Sequence, residues 1–343
     1  SRLKGHVGQE NRTFARCCQR IQKGIADKIL CKSCVRLTGS EYVGLFEVVS
    51  VENLHNNRST RNIWCTVDGK DHYSLTGASA QNEYERFLGK EDDIVLDAGF
   101  MWQEVKRIIK DVELEATVRI FAPLGYGAEV MQVKIVNKGK DARKISVTPA
   151  IPLYGRSADN LRDHRHVTSL LHRIKTSENG VICKPVLSFD ERGHQKNNMI
   201  YYVAGSTENG ENPVSFFPTV ASFIGESGTF LAPEALAKNQ KGCGAGKEFA
   251  GEEALGAMTF AEIMLAPGQA REYIVVSGMT ESEEEITRTA EAFHTKEQAD
   301  AAFIKAKEYW NGLVNISFET GNPKEDSYLK WICFQPILRR IYG

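Results

Sequence analysis

The chain has 343 residues, of which 42% are hydrophobic and 25% charged, a composition typical of a globular protein with a sizeable core. Lysine and arginine number 43 against 44 aspartates and glutamates, so the net charge of −1 argues against a dedicated nucleic-acid binder. No apolar run approaches the roughly 18 residues that cross a bilayer, and the polar, basic start lacks the apolar core of a signal peptide. We therefore expect a cytoplasmic protein with no membrane segment.

The first 40 residues are predicted to form a helical N-terminal extension. Its cysteines include the pair Cys31 and Cys34, at a spacing that supplies half of a zinc site. The other half would be the adjacent Cys17 and Cys18, which is poor geometry for two ligands on one metal. Eight cysteines in a chain of this length do not indicate a disulfide scaffold. We interpret them as reduced thiols and expect no bound metal.

Residues 41–280 are dominated by predicted strands. The segment "ELEATVRI" has apolar side chains at 114, 116, 118 and 120 and polar ones between them, the alternation of a half-buried strand. "EVMQVKIVNKGKDARKISVTPA" predicts two strands joined by a turn at 137–140. The segments "MIYYVAGS", "VSFFPTVASFIG", "MTFAEIML" and "REYIVVSG" continue the pattern. Few stretches are long enough for crossover helices, so a mainly β fold, a large antiparallel sandwich, is favoured over a doubly wound sheet.

From residue 281 to 343 the apolar residues recur at helical spacing. Two capping-box patterns, Thr280 with Glu283 and Thr295 with Gln298, predict where helices begin. A short strand-like segment, "LVNISFE", and a turn at 321–323 come next. The closing segment "KWICFQPILRRIYG" has almost no polar face, so we expect it to be buried against protein.

The glycine-rich segment "KGCGAGKEF" at 241–249 invites comparison with a phosphate-binding P-loop. That motif ends in Gly-Lys-Ser/Thr, because the hydroxyl reaches the magnesium ion. Here Gly246 and Lys247 are followed by Glu248, and Lys241 stands where the first glycine belongs. We predict a surface loop rather than a nucleotide site.

The densest polar stretch is "GRSADNLRDHRHVTSLLHR" at 155–173. Its three histidines could suggest a metal, but the neighbouring arginines would repel a divalent cation. Two interpretations stay open from the residues alone: a charged solvated loop, or a loop facing a ligand, because guanidinium, amide and imidazole donors suit sugar hydroxyls or phosphate. The candidate substrate-binding residues are Asn160, Arg162, Asp163, His164, Arg165 and His166.

The order of these segments resembles a known family. "GFMWQEVKRIIKDVELEATVRIFAPLGYGAEVMQVKIVNKGKDARKISVTPAIPLYG", "ASFIGESGTFLAPEAL", "ALGAMTFAEIMLAPGQAREYIVVSGMTESEEE" and "YWNGLVNISFETGNPKEDSYLKWICFQPILRRIYG" are similar to the N-terminal region of the cellobiose-phosphorylase type of glycoside phosphorylases, glycoside hydrolase family 94. Together the segments cover about 41–343. The wording "ADNLRDHRH" is closer to members that act on 1,2-β-linked oligoglucans.

The resemblance implies a galactose-mutarotase-like antiparallel β-supersandwich over 41–280. It also implies that the helical linker of 281–343 leads to an (α/α)6 barrel beyond residue 343. That barrel carries the family's general acid and its phosphate-binding residues, so no catalytic residue is expected in this chain, which would be inactive alone. Phosphorolysis in the family is inverting and needs inorganic phosphate but no organic cofactor or metal.

The resemblance also implies partners. These are a β-linked gluco-oligosaccharide with phosphate, a second copy of the chain in a homodimer, and the rest of the enzyme. In the homodimer, the loop "SADNLRDHRHVTS" at 157–169 would reach the other active site. Contact with the rest of the enzyme is expected through the apolar residues of the terminal helix, which are Trp331, Phe334, Ile337, Leu338 and Ile341.

Three other functions remain open at this stage. The first is a stand-alone carbohydrate-binding module, for which a solvent-ready C-terminal segment would be expected. The second is an epimerase on the same fold, which would need a Glu/His pair in a concave cavity; His72, His164, His166 and His172 are available. The third is the phosphorylase-like region of a cyclic β-1,2-glucan synthase, a larger membrane protein.

Overall fold

The computed structural model describes residues 43–44, 61–90, 92–153, 156–157, 169–190 and 193–342. The predicted helical extension of residues 1–40 lies outside these residues, as do its four cysteines. Two antiparallel sheets account for most of the strands, and helices follow the last strand. The predicted fold class, a mainly β supersandwich followed by helices, is confirmed.

The large sheet has nine antiparallel strands. The strand that comes last in the chain, residues 270–280, lies in the middle of this sheet. It pairs with residues 200–207 on one side and with residues 128–137 on the other. In spatial order the strands are β16 (Glu248–Ala250), β10 (His172–Thr176), β11 (Gly180–Pro185), β14 (Ile200–Thr207), β19 (Ala270–Thr280), β7 (Ala128–Asn137), β6 (Leu114–Phe121), β5 (Trp102–Ile109) and β4 (Asp93–Gly99).

The small sheet packs against one face of the large sheet. Its central strand, β8, follows β7 in the chain, and the connection at 138–142, which includes most of the turn predicted at 137–140, joins the two sheets. The strands in spatial order are β15 (Ser215–Thr219), β17 (Ala254–Thr259), β8 (Arg143–Leu153), β2 (Asn62–Val67) and β3 (Asp71–Ser74), and β18 (Ile263–Leu265) also pairs with β8. Two short pairs, β1 (Val43–Gly44) with β9 (Arg156–Ser157) and β12 (Leu187–Asp190) with β13 (Gly193–Lys196), lie outside both sheets.

The core between the sheets is built by the period-two alternation of the strands. On β6, Leu114, Ala116 and Val118 point inward and are at most 3% exposed, as the sequence predicts. They pack in one cluster with inward residues of the small sheet such as Cys65 and Val147. Burial of each large aliphatic side chain contributes about 1.5–3 kcal/mol, so this layer supplies much of the stability.

Among the described residues, six α-helices accompany the sheets; three lie between strands, and three follow the predicted β-to-helix change. They are α1 (Ala80–Phe87), α2 (Val220–Ile224), α3 (Glu234–Ala237), α4 (Glu283–Ala292), α5 (Lys296–Leu313) and α6 (Pro323–Tyr342). The predicted capping box at the start of α5 is confirmed, with the Thr295 N–H donating to Gln298 Oε1 at 2.8 Å. Asn322 begins α6 through its Oδ1, which accepts from the Lys324 N–H at 3.1 Å.

Three local predictions were wrong. The first capping box is absent because Ser282, not Thr280, caps α4; Thr280 ends β19 and its hydroxyl accepts from the Ser282 N–H at 3.2 Å. In "VSFFPTVASFIG" only the first half is a strand, since Thr219 and Ser222 form a capping box that starts α2. "LVNISFE" is not a strand, because it connects α5 with α6 and no strand lies beside it to pair with.

The outer face of the large sheet is covered by α4, α5 and α6. Outward apolar residues of the sheet form a second core with these helices. Phe334 of α6 is completely buried, with its ring centroid 4.3 Å from that of Phe100 and 5.7 Å from that of Trp310. The apolar terminal helix is therefore buried on one side against the sandwich of its own chain.

Helix α5 is also attached by charge. Asp300 accepts hydrogen bonds from Gln132 Nε2 at 2.9 Å and from Arg119 Nη1 at 3.4 Å, and it pairs with Lys296 on its own helix. The Arg119 guanidinium also lies 4.4 Å from the ring centroid of Phe303. These contacts fix the rotation of α5 on the sheet, because a guanidinium and a carboxylate bond well only in restricted geometry.

Candidate functional site

The six candidate ligand residues, Asn160, Arg162, Asp163, His164, Arg165 and His166, lie outside the described residues. The positions at which their segment is attached are described. The chain leaves the small sheet at Leu153, which is 1% exposed, and the next described helical turn begins at Ser169, just before β10 of the large sheet. In the chain, the candidate residues therefore fall between β8 of the small sheet and β10 of the large sheet.

The interior is more polar at the end of the sandwich where β8 ends and β10 begins. The inward positions of the strands are mostly apolar, and at this end they carry Glu129 on β7, Ser277 on β19, Tyr201 on β14 and His172 on β10. All four are at most 3% exposed, and Glu129 lies directly opposite Ser277 in the strand register. We call these four residues, with Arg61, the polar end of the sandwich.

An ion pair joins the two sheets across the polar end. Arg61 immediately precedes β2, and the alternation that turns Ile63 and Cys65 inward also turns Arg61 inward, where its guanidinium pairs with the Glu129 carboxylate. The side chains are 12% and 4% exposed. Removal of one partner would leave the other charge buried and unpaired, at a cost of about 3–5 kcal/mol, and the pair connects the residue before β2 with β7.

The Ser277 hydroxyl has no hydrogen-bond partner among the described residues, although it is completely buried. A buried polar atom of this kind is unfavourable unless something nearby bonds to it. Carboxylate, hydroxyl and guanidinium groups thus lie on neighbouring parts of the chain, because β19 pairs with β7 and Arg61 pairs with Glu129, whereas the His172 imidazole is four strands from β7 in the same sheet. Buried groups of these kinds can bond to other polar groups.

The sequence analysis missed Arg61, Glu129 and Ser277. One signal could have found Glu129, because it shares inward parity with the apolar Met131 and Val133. A charged residue at such a position requires a buried partner. The identity of that partner could not be found by spacing, since Arg61 precedes Glu129 by a long stretch of chain.

The glycine-rich loop at 241–249 does not form a phosphate cradle. The Gly246 N–H donates to the Thr176 carbonyl and the Lys247 N–H to Thr176 Oγ1, both at 2.9 Å. The Thr176 hydroxyl in turn donates to the Gly244 carbonyl at 2.9 Å. Two backbone donors that would have to face a phosphate are therefore used within the protein.

Across the part of the chain that the structure describes, no group of histidine, cysteine, aspartate and glutamate side chains is placed to hold a metal ion. Over the same residues, no helix has the length and apolarity needed to cross a membrane.

Comparison with known families identifies the sandwich. Residues 67–296 match the family described as "Glycosyl hydrolase 94, supersandwich domain". The chain belongs to this family. The resemblance seen in the sequence is confirmed at this level, and it places the chain among proteins of carbohydrate metabolism. The cellobiose or oligoglucan type stays a prediction.

Solved structures with similar architecture include a bacterial glucoamylase complexed with acarbose, at 10% identity and a TM-score of 0.42, with 73% of this chain and 31% of that chain covered. Another is titled "Putative kojibiose phosphorylase from human microbiome", at 8% identity and a TM-score of 0.32, with 79% of this chain and 27% of that chain covered. A third is an α-galactosidase from Geobacillus stearothermophilus, at 12% identity and a TM-score of 0.24, with 70% of this chain and 32% of that chain covered. The chain thus spans about a third of the length of each. A comparison with curated proteins gave no match.

Proposed function

We propose that this chain is the sandwich portion of an inverting glycoside phosphorylase. The enzyme would act on β-linked gluco-oligosaccharides with inorganic phosphate and release a sugar 1-phosphate. The observation that carries the proposal is the family match over residues 67–296, within a family of carbohydrate-active proteins. The preference for 1,2-β-linked substrates rests on the wording "ADNLRDHRH" alone.

The reaction needs groups on both faces of the scissile bond. An acid protonates the glycosidic oxygen while phosphate attacks the anomeric carbon from the opposite face, in the place of the water of an inverting hydrolase. We assign the acid to a catalytic unit outside this chain. Phosphate serves as co-substrate, and the proposal includes no organic cofactor or metal.

The role proposed for this chain is to shape the substrate site. Asn160, Arg162, Asp163, His164, Arg165 and His166 would contact sugar hydroxyls or phosphate, to which guanidinium groups are well matched. The polar end supports this proposal because the buried Arg61–Glu129 pair fixes both sheets where the segment is attached. In a homodimer the segment would serve the partner's active site.

A second role is attachment to the rest of the enzyme. Large apolar side chains remain exposed on α5, on α6 and between them, including Ile316 at 52%, Tyr328 at 64% and Ile332 at 44%. Contiguous exposed apolar surface of this kind is typical of an interaction site. Because Phe334 is buried within this chain, the proposed contact with a catalytic domain passes to Tyr328 and Ile332, beside the half-buried Trp331 and Ile337.

A phosphate-release assay tests the proposal. The chain alone, and a version extended to include a following catalytic domain, would be incubated with glucose 1-phosphate and either glucose, cellobiose or sophorose. We expect phosphate release only from the extended protein. In that protein, Arg162→Ala with Arg165→Ala should reduce the rate at least about tenfold, because charge-assisted contacts are lost.

The matched control is Arg288→Ala, an exposed arginine of α4 whose partner is Glu285. It should leave the rate unchanged. Inactivity of the extended protein on every acceptor would contradict the proposal and favour the binding-module alternative. Activity of the short chain would show that the acid lies within these residues.

A further inference from the structure

Helix α1 presents its apolar side to solvent. Tyr84, Phe87 and Leu88 lie three and four residues apart, so they share one side of the helix, and they are 59%, 87% and 46% exposed. The half-buried Asn82 and Glu85 lie on the other side, which faces the sandwich, and Asn82 Nδ2 donates to Asp92 Oδ2 at 3.4 Å. A helix on a protein surface normally has the reverse arrangement. We call the three apolar residues the outer face of α1, and such an exposed face is typical of a contact surface.

The surroundings of the outer face of α1 are acidic. Between Ala80 and Gly99 the chain carries six acidic and two basic side chains. Arg107 and Lys110 pair with Asp92 and Asp93, and an acidic excess remains after these pairs are counted. A partner that fits this surface therefore combines apolar side chains with positive charge.

Residues 1–40 of the same chain have this combination. They contain nine basic and two acidic side chains, whereas the rest of the chain contains 34 basic and 42 acidic ones. Within this predicted helical extension, apolar side chains recur every three or four residues, the spacing of one helix side. They are Phe14, Cys18, Ile21, Ile25 and Ile29. A basic segment with an apolar stripe matches the outer face of α1 in both charge and apolarity.

The course of the chain allows the two to meet. Val43 pairs with Ser157 of β9, which soon follows β8 in the chain. Strand β2 is paired with β8, and Asn62 at the start of β2 donates from Nδ2 to the Ala78 carbonyl at 2.7 Å, two residues before α1. The residues between Leu30 and Val43 can span about 40 Å when extended, many times the roughly 5 Å between neighbouring strands.

We propose that residues 12–30 dock as an amphipathic helix on the outer face of α1. Their apolar stripe would cover Tyr84, Phe87 and Leu88, and the acidic surroundings would attract their positive charge. Docking of a terminal segment is a local equilibrium, so it would be lost below the temperature at which the sandwich unfolds.

The docked extension would also act on the candidate substrate segment. Because β1 pairs with β9 just before that segment, an extension held on α1 would restrain the segment at its base. This consequence rests on the proposed function, whereas the docking itself does not.

Photo-cross-linking of the full 343-residue chain tests the docking. Phe87→p-benzoylphenylalanine places the probe on the outer face of α1, and mass spectrometry identifies the linked peptides. We expect links to residues 14–29 of the same chain, and a mixture of isotopically labelled and unlabelled chains separates these from links between copies. The matched control places the same probe at Ile304, a residue of α5 that is 53% exposed, and should give few links to residues 1–40.

The role of charge is tested separately. Lys23→Glu with Lys28→Glu should lower the yield of links at least about threefold, and so should an increase in salt from about 0.05 M to 0.5 M, because salt screens the attraction. The control, Lys305→Glu with Lys324→Glu, makes the same change of charge on exposed residues of α5 and α6 and should leave the yield unchanged. Hydrogen exchange without a probe gives a second readout, since the amides of α1 should exchange about threefold faster in the Lys23→Glu, Lys28→Glu variant than in wild type.

Three results would overturn the inference. The first is the absence of links from position 87 to residues 1–40 of the same chain; links between two copies instead would make the outer face of α1 a self-association surface. The second is an equal yield from the probes at positions 87 and 304. The third is a yield and an exchange rate that neither salt nor the charge reversal changes. None of these measurements involves phosphorolysis, so the docking can fail or hold independently of the proposed function.

Discussion

Helices α5 and α6 on the large sheet and helix α1 at the sandwich edge are attached in opposite ways. The first two bury aromatic side chains, with Phe334 completely enclosed by Phe100 and Trp310. Helix α1 buries no residue, and Phe87 on it is 87% exposed. It is held by polar contacts, such as the Ala80 N–H donating to the Leu231 carbonyl at 2.9 Å. Apolar burial thus attaches the linker helices, while hydrogen bonds attach the helix at the edge of the sandwich.

The largest expected effect on stability comes from removing the buried Phe334 ring of α6. Phe334→Ala should lower the free energy of unfolding by about 3–5 kcal/mol, because a completely buried ring leaves a cavity that the sheet cannot fill. Urea unfolding followed by tryptophan fluorescence would measure it. Ile332→Ala, on the exposed side of the same helix, is the control and should change stability by less than about 0.5 kcal/mol. Equal losses in both variants would show that α6 is not attached through its buried side.

A smaller effect should follow from the charged contacts of α5. Burial alone would raise the pKa of Asp300, but hydrogen bonds from Lys296 and Gln132 and the charge of Arg119 hold it below its usual value. Asp300→Asn should therefore cost about 1 kcal/mol at neutral pH. Because the folded-state pKa is depressed, the wild-type advantage should be present above about pH 4 and disappear as the pH falls through the folded-state value. Parallel urea titrations at several pH values measure this, and a gap that widens in acid would contradict it.

The smallest effect is expected on α1. Phe87→Ser should change the free energy of unfolding by less than about 0.5 kcal/mol, because the ring is already in water. Thermal melting of the variant beside wild type and Phe334→Ala would check it. A loss comparable with that of Phe334→Ala would mean that the Phe87 ring is covered in solution, for example by a second copy of the chain, and light scattering would then reveal a change in mass.

Much of the fold could be predicted because short-range patterns determine it. The alternation at 114–120 identified β6, and the apolar character of "KWICFQPILRRIYG" correctly indicated that Phe334 is buried. Errors arose where one local signal outweighed another. In "VSFFPTVASFIG", strand propensity hid the Thr219 cap, and in "LVNISFE" it indicated a strand where no neighbour could pair with it.

The sites were harder to predict because their residues are distant in sequence. Arg61 and Glu129 meet only after two sheets have packed face to face, and neither has a distinctive neighbour in the chain. The predicted segment 160–166 was found by its composition, and its roles remain predictions.

The position of β19 has a consequence for how the molecule assembles. This strand is the last of the sandwich to be synthesised, yet it lies between β7 and β14 in the middle of the large sheet. Until residues 270–280 leave the ribosome, those two strands have no partner on their facing edges, and unpaired edges of this kind are prone to join other chains. Closure of the sheet is therefore a late event that depends on contacts between residues distant in sequence. Folding is slow in β proteins dominated by such contacts. Any shortened form of the protein intended for study should keep its C-terminal boundary beyond Thr280.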